Sequence, residues 1–363
     1  LIMTIIFQPA PNLAPPASKI GIIYWARSKL FNNFINSLFT LCGITILIVL
    51  TPSLLNWFLL DAVFIGTAET CREGQGACWS FIHAKIKLFL LGPYPMELVW
   101  RPIVAAILLF GLFLATARHY LTSSKAVIAW MVLPFPIYWL IGGGLGLEVV
   151  DTSDWGGLLL TLVLAVAGIL ASVPIGIVLA LGRTAKNTFI KVISVSIIEL
   201  VRGVPLVTIL FMATIMLPLF LPDGVEVGIL YRVQFGIILF SSAYIAEVVR
   251  GGLQSIDSGQ SEAAAALGLN QWKITTFIIL PQALKIVIPP LIGRCIALLK
   301  DTSLVVVVGL LDFLGIAKAA SQDAEWLGFD AEAFVFCAFI YWVLCFSLSR
   351  YGRSLEIRGR NSH

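Results

Sequence analysis

The sequence predicts an all-α polytopic membrane protein, on the evidence of its composition, its hydropathy and the length of its apolar runs. Hydrophobic residues make up 59% of the 363 residues and charged residues only 12%, whereas about a quarter of a typical soluble chain is charged. The mean hydropathy is +0.97. The net charge of +4 comes without a basic cluster interleaved with aromatic residues, so we expect no nucleic-acid partner.

Eight segments are apolar over roughly the 20 residues that a helix needs to cross a bilayer. They cover residues 34–50, 102–117, 126–145, 156–182, 195–220, 234–249, 286–310 and 333–349. The fifth and the seventh carry internal charges. We divide the chain into an N-terminal tail (1–33), three spans with a long loop (34–150), a five-span domain (151–350) and a C-terminal tail (351–363).

The placement of Lys and Arg predicts the orientation, because loops on the cytoplasmic side carry an excess of these residues. With the N-terminus inside, most of the basic residues face the cytoplasm. Six basic residues remain on the outer side: Arg72, Lys85, Lys87, Arg101, Arg232 and Lys318. The first four of them belong to the long loop 51–101. We therefore expect both termini in the cytoplasm.

The cysteines and histidines do not have the spacing of a metal site, so we expect no metal and no cofactor. Cys71 and Cys78 can close a small disulfide if they face an oxidising compartment, or remain two unpaired thiols. The glycine-rich run GGGLG at 142–146 has the GxxxG spacing of close helix packing, although a loop is the alternative.

One segment between two predicted spans has the composition of a soluble helix pair. It reads SEAAAALGLNQWKITTFIILPQAL and begins at Ser261. Ser261 or Ser258 can cap a first helix, and Gly268 can end it in a left-handed turn. Asn270 can cap a second helix, which we expect Pro281 to end. Alanine lets another surface approach closely, so the segment suits a partner protein; a loop lying on the membrane surface is the alternative.

The full spacing of this segment resembles the EAA signature of bacterial ABC-importer permeases. The residues that carry the resemblance are Glu262, Ala263, Ala264, Gly268, Leu280 and Pro281. The resemblance implies a type I ABC importer permease core of five spans, with about three extra N-terminal spans here. It also implies that a coupling loop, residues 251–285, docks into a groove on a separate ATPase.

Four further stretches resemble the polar amino-acid permeases, the His/Glu/Gln/Arg/opine group. They are ELVRGVP (199–205), AYIAEVVRGGLQSI (243–256), GQSEAAAALGL (259–269) and LLKDTSLVVVVGL (298–310). The extra spans and long outer loop resemble the M-type subunit of the general L-amino-acid permease. Two stretches depart from the family pattern. The first has Val204 where a threonine is usual and Leu-Val-Thr after Pro205 where a Gln usually follows, and the second has Gly293-Arg294 where Asn-Glu is frequent.

Charged groups at membrane depth mark the expected substrate path, because each costs about 2.5–3.5 kcal/mol at mid-bilayer unless it meets a partner or water. The charged candidates are Arg202, Glu247, Arg294, Lys300 and Asp301, with Glu199 nearby, and the hydroxyl residues Thr302 and Ser303 follow Asp301. We expect Glu247, together with Arg250, to support the coupling segment rather than to line the path. Glu199 and Arg202 are three apart and can simply pair with each other. We expect a helix break after Lys300-Asp301, with a structural or gating role for these residues. Arg294 can bind a substrate carboxylate, form an intersubunit salt bridge or extend to the membrane surface.

The chain contains no GxxxxGK[ST] motif, so it is not expected to be an enzyme, and ATP hydrolysis must take place on a partner. The family resemblance implies that the protein lies in the lipid bilayer of a bacterial inner membrane beside a second permease subunit. It also implies two copies of an ABC ATPase, an extracytoplasmic amino-acid-binding protein and an amino-acid substrate. The alternatives are a permease for another solute such as methionine or an osmolyte, a passive channel, or a receptor-like signalling protein.

Overall fold

The chain is helical in the computed structural model, which describes residues 21–118, 120–222 and 224–361. Within these ranges the backbone forms isolated β-bridges but no strand, so the predicted all-α class is confirmed. The chain forms two compact units with a boundary after Ser80. Most of the predicted N-terminal tail, residues 1–20, lies outside the described residues.

The first unit contains a long apolar helix and a loop closed by a disulfide. Its helices are α1 (Ile22–Lys29), α2 (Phe34–Leu55, continued by a π-helical turn, Asn56–Leu60) and α3 (Ala68–Glu73). The Asn33 side chain caps α2 by accepting a hydrogen bond from the Asn36 backbone N–H at 2.7 Å. Cys71 and Cys78 form a disulfide, so the alternative of two unpaired thiols is wrong.

The second unit contains the remaining helices, except that the first two residues of the helix α4 belong to the first unit. They are α4 (Trp79–Leu91), α5 (Trp100–Ala117), α6 (Ser123–Val132), α7 (Pro134–Gly142), α8 (Gly157–Arg183), α9 (Thr188–Arg202), α10 (Leu206–Phe211), α11 (Ile229–Gln254), α12 (Ser258–Ala266), α13 (Gln271–Lys273), α14 (Leu280–Ile286), α15 (Ile288–Asp301), α16 (Phe313–Ser321) and α17 (Asp330–Asn361).

Six of the eight predicted spans are helices long and apolar enough to cross a membrane. Among the described residues they are Phe34–Leu60, Met96–Ala117, Ser124–Gly142, Gly157–Arg183, Ile229–Gln254 and Asp330–Ile357. The last helix, α17, continues to Asn361, so the predicted C-terminal tail from residue 351 begins as helix. Gly142 ends α7, and the rest of the GGGLG run is a loop with positive φ at Gly143, Gly144 and Gly146, so the run does not form the continuous helix that GxxxG packing requires.

The fifth predicted span, 195–220, is broken into two helices that meet at 109°. Pro205 lacks a backbone N–H and disfavours a helical conformation in the residue before it, so the chain turns between Gly203 and Pro205. Counted as one span, the bent pair Thr188–Arg202 and Leu206–Phe220 brings the number to seven.

The seventh predicted span, 286–310, is not one continuous α-helix. The helix α15 has 14 residues and ends at Asp301, and a 3₁₀ stretch, Thr302–Val308, follows it. At 1.5 Å per residue α15 covers only about 21 Å, less than the ~30 Å hydrocarbon core. The expected helix break after Lys300-Asp301 is therefore present.

The core of the second unit lies where α8 and α11 pack together with α10 and α15. Its buried apolar residues come from all four helices: Leu160, Leu164, Leu210, Val233, Ile237, Ala243, Leu298 and Leu299. Because α9 and α15 also begin or end beside this core, the charged residues predicted at membrane depth are brought to one region of the unit.

Candidate functional site

The helix pair predicted between two spans is present as the segment 257–286. Its first helix, α12, is capped by Asp257, whose side chain accepts from the Gly259 N–H at 2.7 Å. The predicted caps, Ser258 and Ser261, are therefore wrong. The physical reason is that the Asp257 carboxylate, one position before Ser258, is a strong hydrogen-bond acceptor. Its negative charge also interacts favourably with the positive end of the helix dipole.

The turn after α12 depends on Gly268, as predicted. Gly268 has φ +79°, a conformation that side chains other than glycine and asparagine rarely adopt. Its N–H donates to the Ala265 carbonyl at 2.9 Å, and the Leu269 N–H donates to the Ala264 carbonyl at 3.3 Å. The Asn270 side chain then caps the next helix by accepting from the Lys273 N–H at 2.9 Å, which confirms the predicted second cap.

Pro281 does not end the second helix, so this prediction is wrong. The chain continues from α13 through a π-helical stretch, Ile274–Ile279, into α14, and Pro281 lies in the first turn of α14. A proline is tolerated in a first turn because its missing N–H would have no helical acceptor there. The Ile278 carbonyl accepts from the Gln282 side-chain amide at 2.8 Å.

The segment is exposed at its turn and anchored at its far end. Large apolar side chains are exposed around the turn: Leu267 is 82% exposed, and Trp272 and Phe277 are each 70% exposed. At the other end, a Cβ added to Gly252 of α11 would lie 2.9 Å from the Ala283 carbonyl of α14. The two backbones are therefore in contact, so α14 is packed directly against α11.

Glu199 and Arg202 belong to a five-residue ion-pair cluster rather than to an isolated pair. Their own contact is the longest, at 3.8 Å, whereas Arg183 of α8 lies 2.7 Å from Glu199. Glu247 of α11 lies 3.4 Å from Arg202 and 3.6 Å from Arg183, and it also pairs with Arg250. Each pair is partly exposed and worth at most about 1 kcal/mol, so the cluster chiefly fixes where the ends of α8, α9 and α11 meet.

Arg294 lies against the ring of Tyr244 on α11. Its guanidinium carbon is 4.4 Å from the ring centroid, and that of Arg202 is 5.8 Å from the same ring. The Nε and Nη2 atoms of Arg294 are buried and have no hydrogen-bond partner among the described residues. A buried guanidinium donor without an acceptor is costly, so we expect an acceptor here that the described residues do not provide.

The remaining predicted path residues lie at the end of α15. Lys300 is exposed and Asp301 half-buried. Thr302 is buried, and its hydroxyl donates to the Leu299 carbonyl at 2.7 Å. The Ser303 hydroxyl donates to the Lys300 carbonyl at 2.8 Å. Both hydroxyls satisfy carbonyls that the helix end leaves free, which supports a structural role for this pair.

The sequence matches a known family of membrane transport proteins. Residues 172–360 match the family described as binding-protein-dependent transport system inner membrane component. The chain belongs to this family. It is 46% identical to the inner membrane amino-acid ABC transporter permease protein YhdY of Escherichia coli, with 99% of this chain and 100% of that protein covered.

Two other similar proteins cover different shares of this chain. It is 35% identical to the glutamate/glutamine/aspartate/asparagine transport system permease protein BztC of Rhodobacter capsulatus, over 98% of this chain and 99% of that one. A chain in the crystal structure of an amino acid ABC transporter with histidines is 30% identical, with a TM-score of 0.50, over 56% of this chain and 92% of that one. The predicted resemblance to polar amino-acid ABC permeases is confirmed.

Sequence reasoning named Glu247 among the charges at membrane depth, but it missed the roles of Arg183 and Tyr244 in the charged region. Arg183 joins the ion-pair cluster from α8, and Glu247 is its centre. The ring of Tyr244 contacts the guanidinium groups of both Arg202 and Arg294. The available signal was the spacing of Tyr244, Glu247 and Arg250 at steps of three, which places them on one face of α11.

Proposed function

We propose that this chain is the permease subunit of an ATP-driven importer in a bacterial inner membrane, and that it forms half of the translocation path for polar L-amino acids, both acidic and neutral. The observation that carries the proposal is the segment 257–286, which presents exposed apolar side chains at its turn and is anchored to α11 at its other end. Such a segment is suited to dock on an ATPase and to transmit its movement.

The proposed assembly rests on the family to which the chain belongs, a component of binding-protein-dependent transport systems. A second permease subunit completes the path, two copies of an ABC ATPase supply the energy, and an extracytoplasmic binding protein delivers the amino acid. Closure of the ATPases then rocks the permeases between inward-open and outward-open states. No covalent chemistry takes place on this chain.

ATP dependence separates this proposal from a passive channel. We expect uptake of labelled glutamine or glutamate by cells carrying the chain and its partners to stop when the catalytic glutamate of the ATPase is replaced by glutamine. Purification of the solubilised complex should recover the ATPase and the second permease with this chain. Uptake that continues at the wild-type rate with the inactive ATPase would support a channel instead.

The proposed orientation places segment 257–286 in the cytoplasm and the loop before α17 outside. We expect a cysteine at Leu327, which is 62% exposed, to react with a membrane-impermeant maleimide on intact cells. A cysteine at Gln271 should react only after the cells are opened. The unmodified chain, labelled in parallel, controls for its native thiols. The reverse labelling pattern would overturn the orientation and the docking assignment together.

A further inference from the structure

An apolar cleft of about 410 Å³ lies between α4, α5, α7 and α8, and its lining shares no residue with the charged region described above. Its walls are aliphatic on every side: Leu90, Ala106, Leu109, Ile137, Leu162 and Val166. Among the described residues that line it, Lys87 is the one charged group. The volume falls within the range of about 300–1,000 Å³ that is usual for ligand sites.

The cleft has the length of one membrane leaflet. Along α8 its lining runs from Leu158 to Ala167, which is about 14 Å at the helical rise. Along α5 it runs from Val99 to Leu109, a similar distance. Half of the hydrocarbon core is about 15 Å, so the length of the cleft matches the depth of one leaflet.

Lys87 lies at the end of the cleft where α8 begins. Its ammonium group donates to the backbone carbonyl of Tyr94, and the turn between α4 and α5 lies against Gly156, the residue before α8. That hydrogen bond uses one of the three ammonium donors, so the other two are available. Lys87 belongs to α4, which is not among the candidate spans. Burial lowers the pKa of its ammonium group. An anion beside the ammonium group would stabilise its charged form and so offset this effect of burial.

We infer that this cleft binds one membrane phospholipid, with an acyl chain lying along α8 and the headgroup phosphate at Lys87. An empty apolar cleft of this size would forfeit dispersion contacts along all its walls, and acyl chains are the apolar molecules that surround a membrane protein. The cation at the leaflet surface and the aliphatic walls below it match the two parts of such a lipid. The extra N-terminal span α5 is then held against the core helix α8 partly through the lipid.

Native mass spectrometry of the full chain in dodecyl maltoside, titrated with dioleoyl phosphatidylglycerol, tests the inference. We expect one tightly bound lipid on the wild type. Ala106→Phe, which fills the cleft, should weaken binding about tenfold or more. The matched control is Leu108→Phe, on the same helix but outside the lining, and it should bind as the wild type does. Equal binding by these two variants would overturn the site.

The phosphate contact has its own test. Lys87→Gln keeps a donor for the Tyr94 carbonyl but removes the charge, so it should weaken phosphatidylglycerol binding severalfold and leave dioleoylglycerol, which lacks phosphate, unchanged. Unaltered binding of both lipids would overturn the role of Lys87. If Ala106→Phe does not elute as a monodisperse protein, Leu162→Phe fills the cleft from α8 and replaces it in the comparison.

Discussion

Replacing Gly268 with valine is expected to leave the protein in the membrane but to abolish ATP-coupled uptake. Gly268 has φ +79°, and a β-branched residue in this conformation is strained by on the order of 1–3 kcal/mol. A Cβ at this position would meet no atom within 4 Å. The effect therefore acts through the backbone alone, by changing the angle between α12 and the helix that follows.

The measurement compares uptake, ATPase co-purification and membrane content of three variants. Gly268→Asn is the matched control, because asparagine tolerates the left-handed conformation, and it should retain most of the uptake. Gly268→Val should lose uptake at normal membrane content, and Glu262→Lys should do the same by placing a cation on the exposed face of α12. Wild-type uptake and ATPase recovery in both Gly268→Val and Glu262→Lys would show that the segment does not couple.

The parts of the fold that local chemistry determines were predictable from the sequence. Long apolar runs gave six of the eight spans, and the glycine and asparagine around the turn after α12 adopt the predicted roles. The errors arose where two local signals competed. Asp257 caps α12 in place of the neighbouring serines, and Pro281 is accommodated because a π-helical stretch precedes it.

The charged region was only half predictable, because its contacts join residues far apart in the chain. Spacing suggested the pair of Glu199 and Arg202, but Glu199 is closer to Arg183, sixteen residues earlier on another helix. Similarly, periodicity marked Arg294 as a charge within an apolar helix, yet its stacking on Tyr244 depends on how α11 and α15 pack. The spacing of residues along one helix identifies neighbours on that helix, but it does not predict contacts between different helices.

Replacing Arg294 with alanine is expected to reduce uptake of acidic amino acids about ten- to a hundredfold. The ring of Tyr244 holds the guanidinium in place, and two of its nitrogens lack a hydrogen-bond partner among the described residues. A substrate carboxylate is the acceptor that fits a planar guanidinium with two parallel hydrogen bonds. A charged hydrogen bond of about 1.5–3 kcal/mol corresponds to this loss of apparent affinity.

Competition of labelled glutamate uptake by unlabelled amino acids measures the effect. The matched control is Lys300→Ala, which removes an exposed cation from the same helix and should not alter the order of competing substrates. Arg294→Glu should gain arginine uptake as it loses glutamate uptake, because the local charge is reversed. An equal loss for every substrate in Arg294→Ala would instead indicate a salt bridge to the second permease. Strong arginine transport by the unmodified protein would contradict the selectivity for acidic and neutral substrates, because a half-buried guanidinium at the proposed path would repel a cationic side chain.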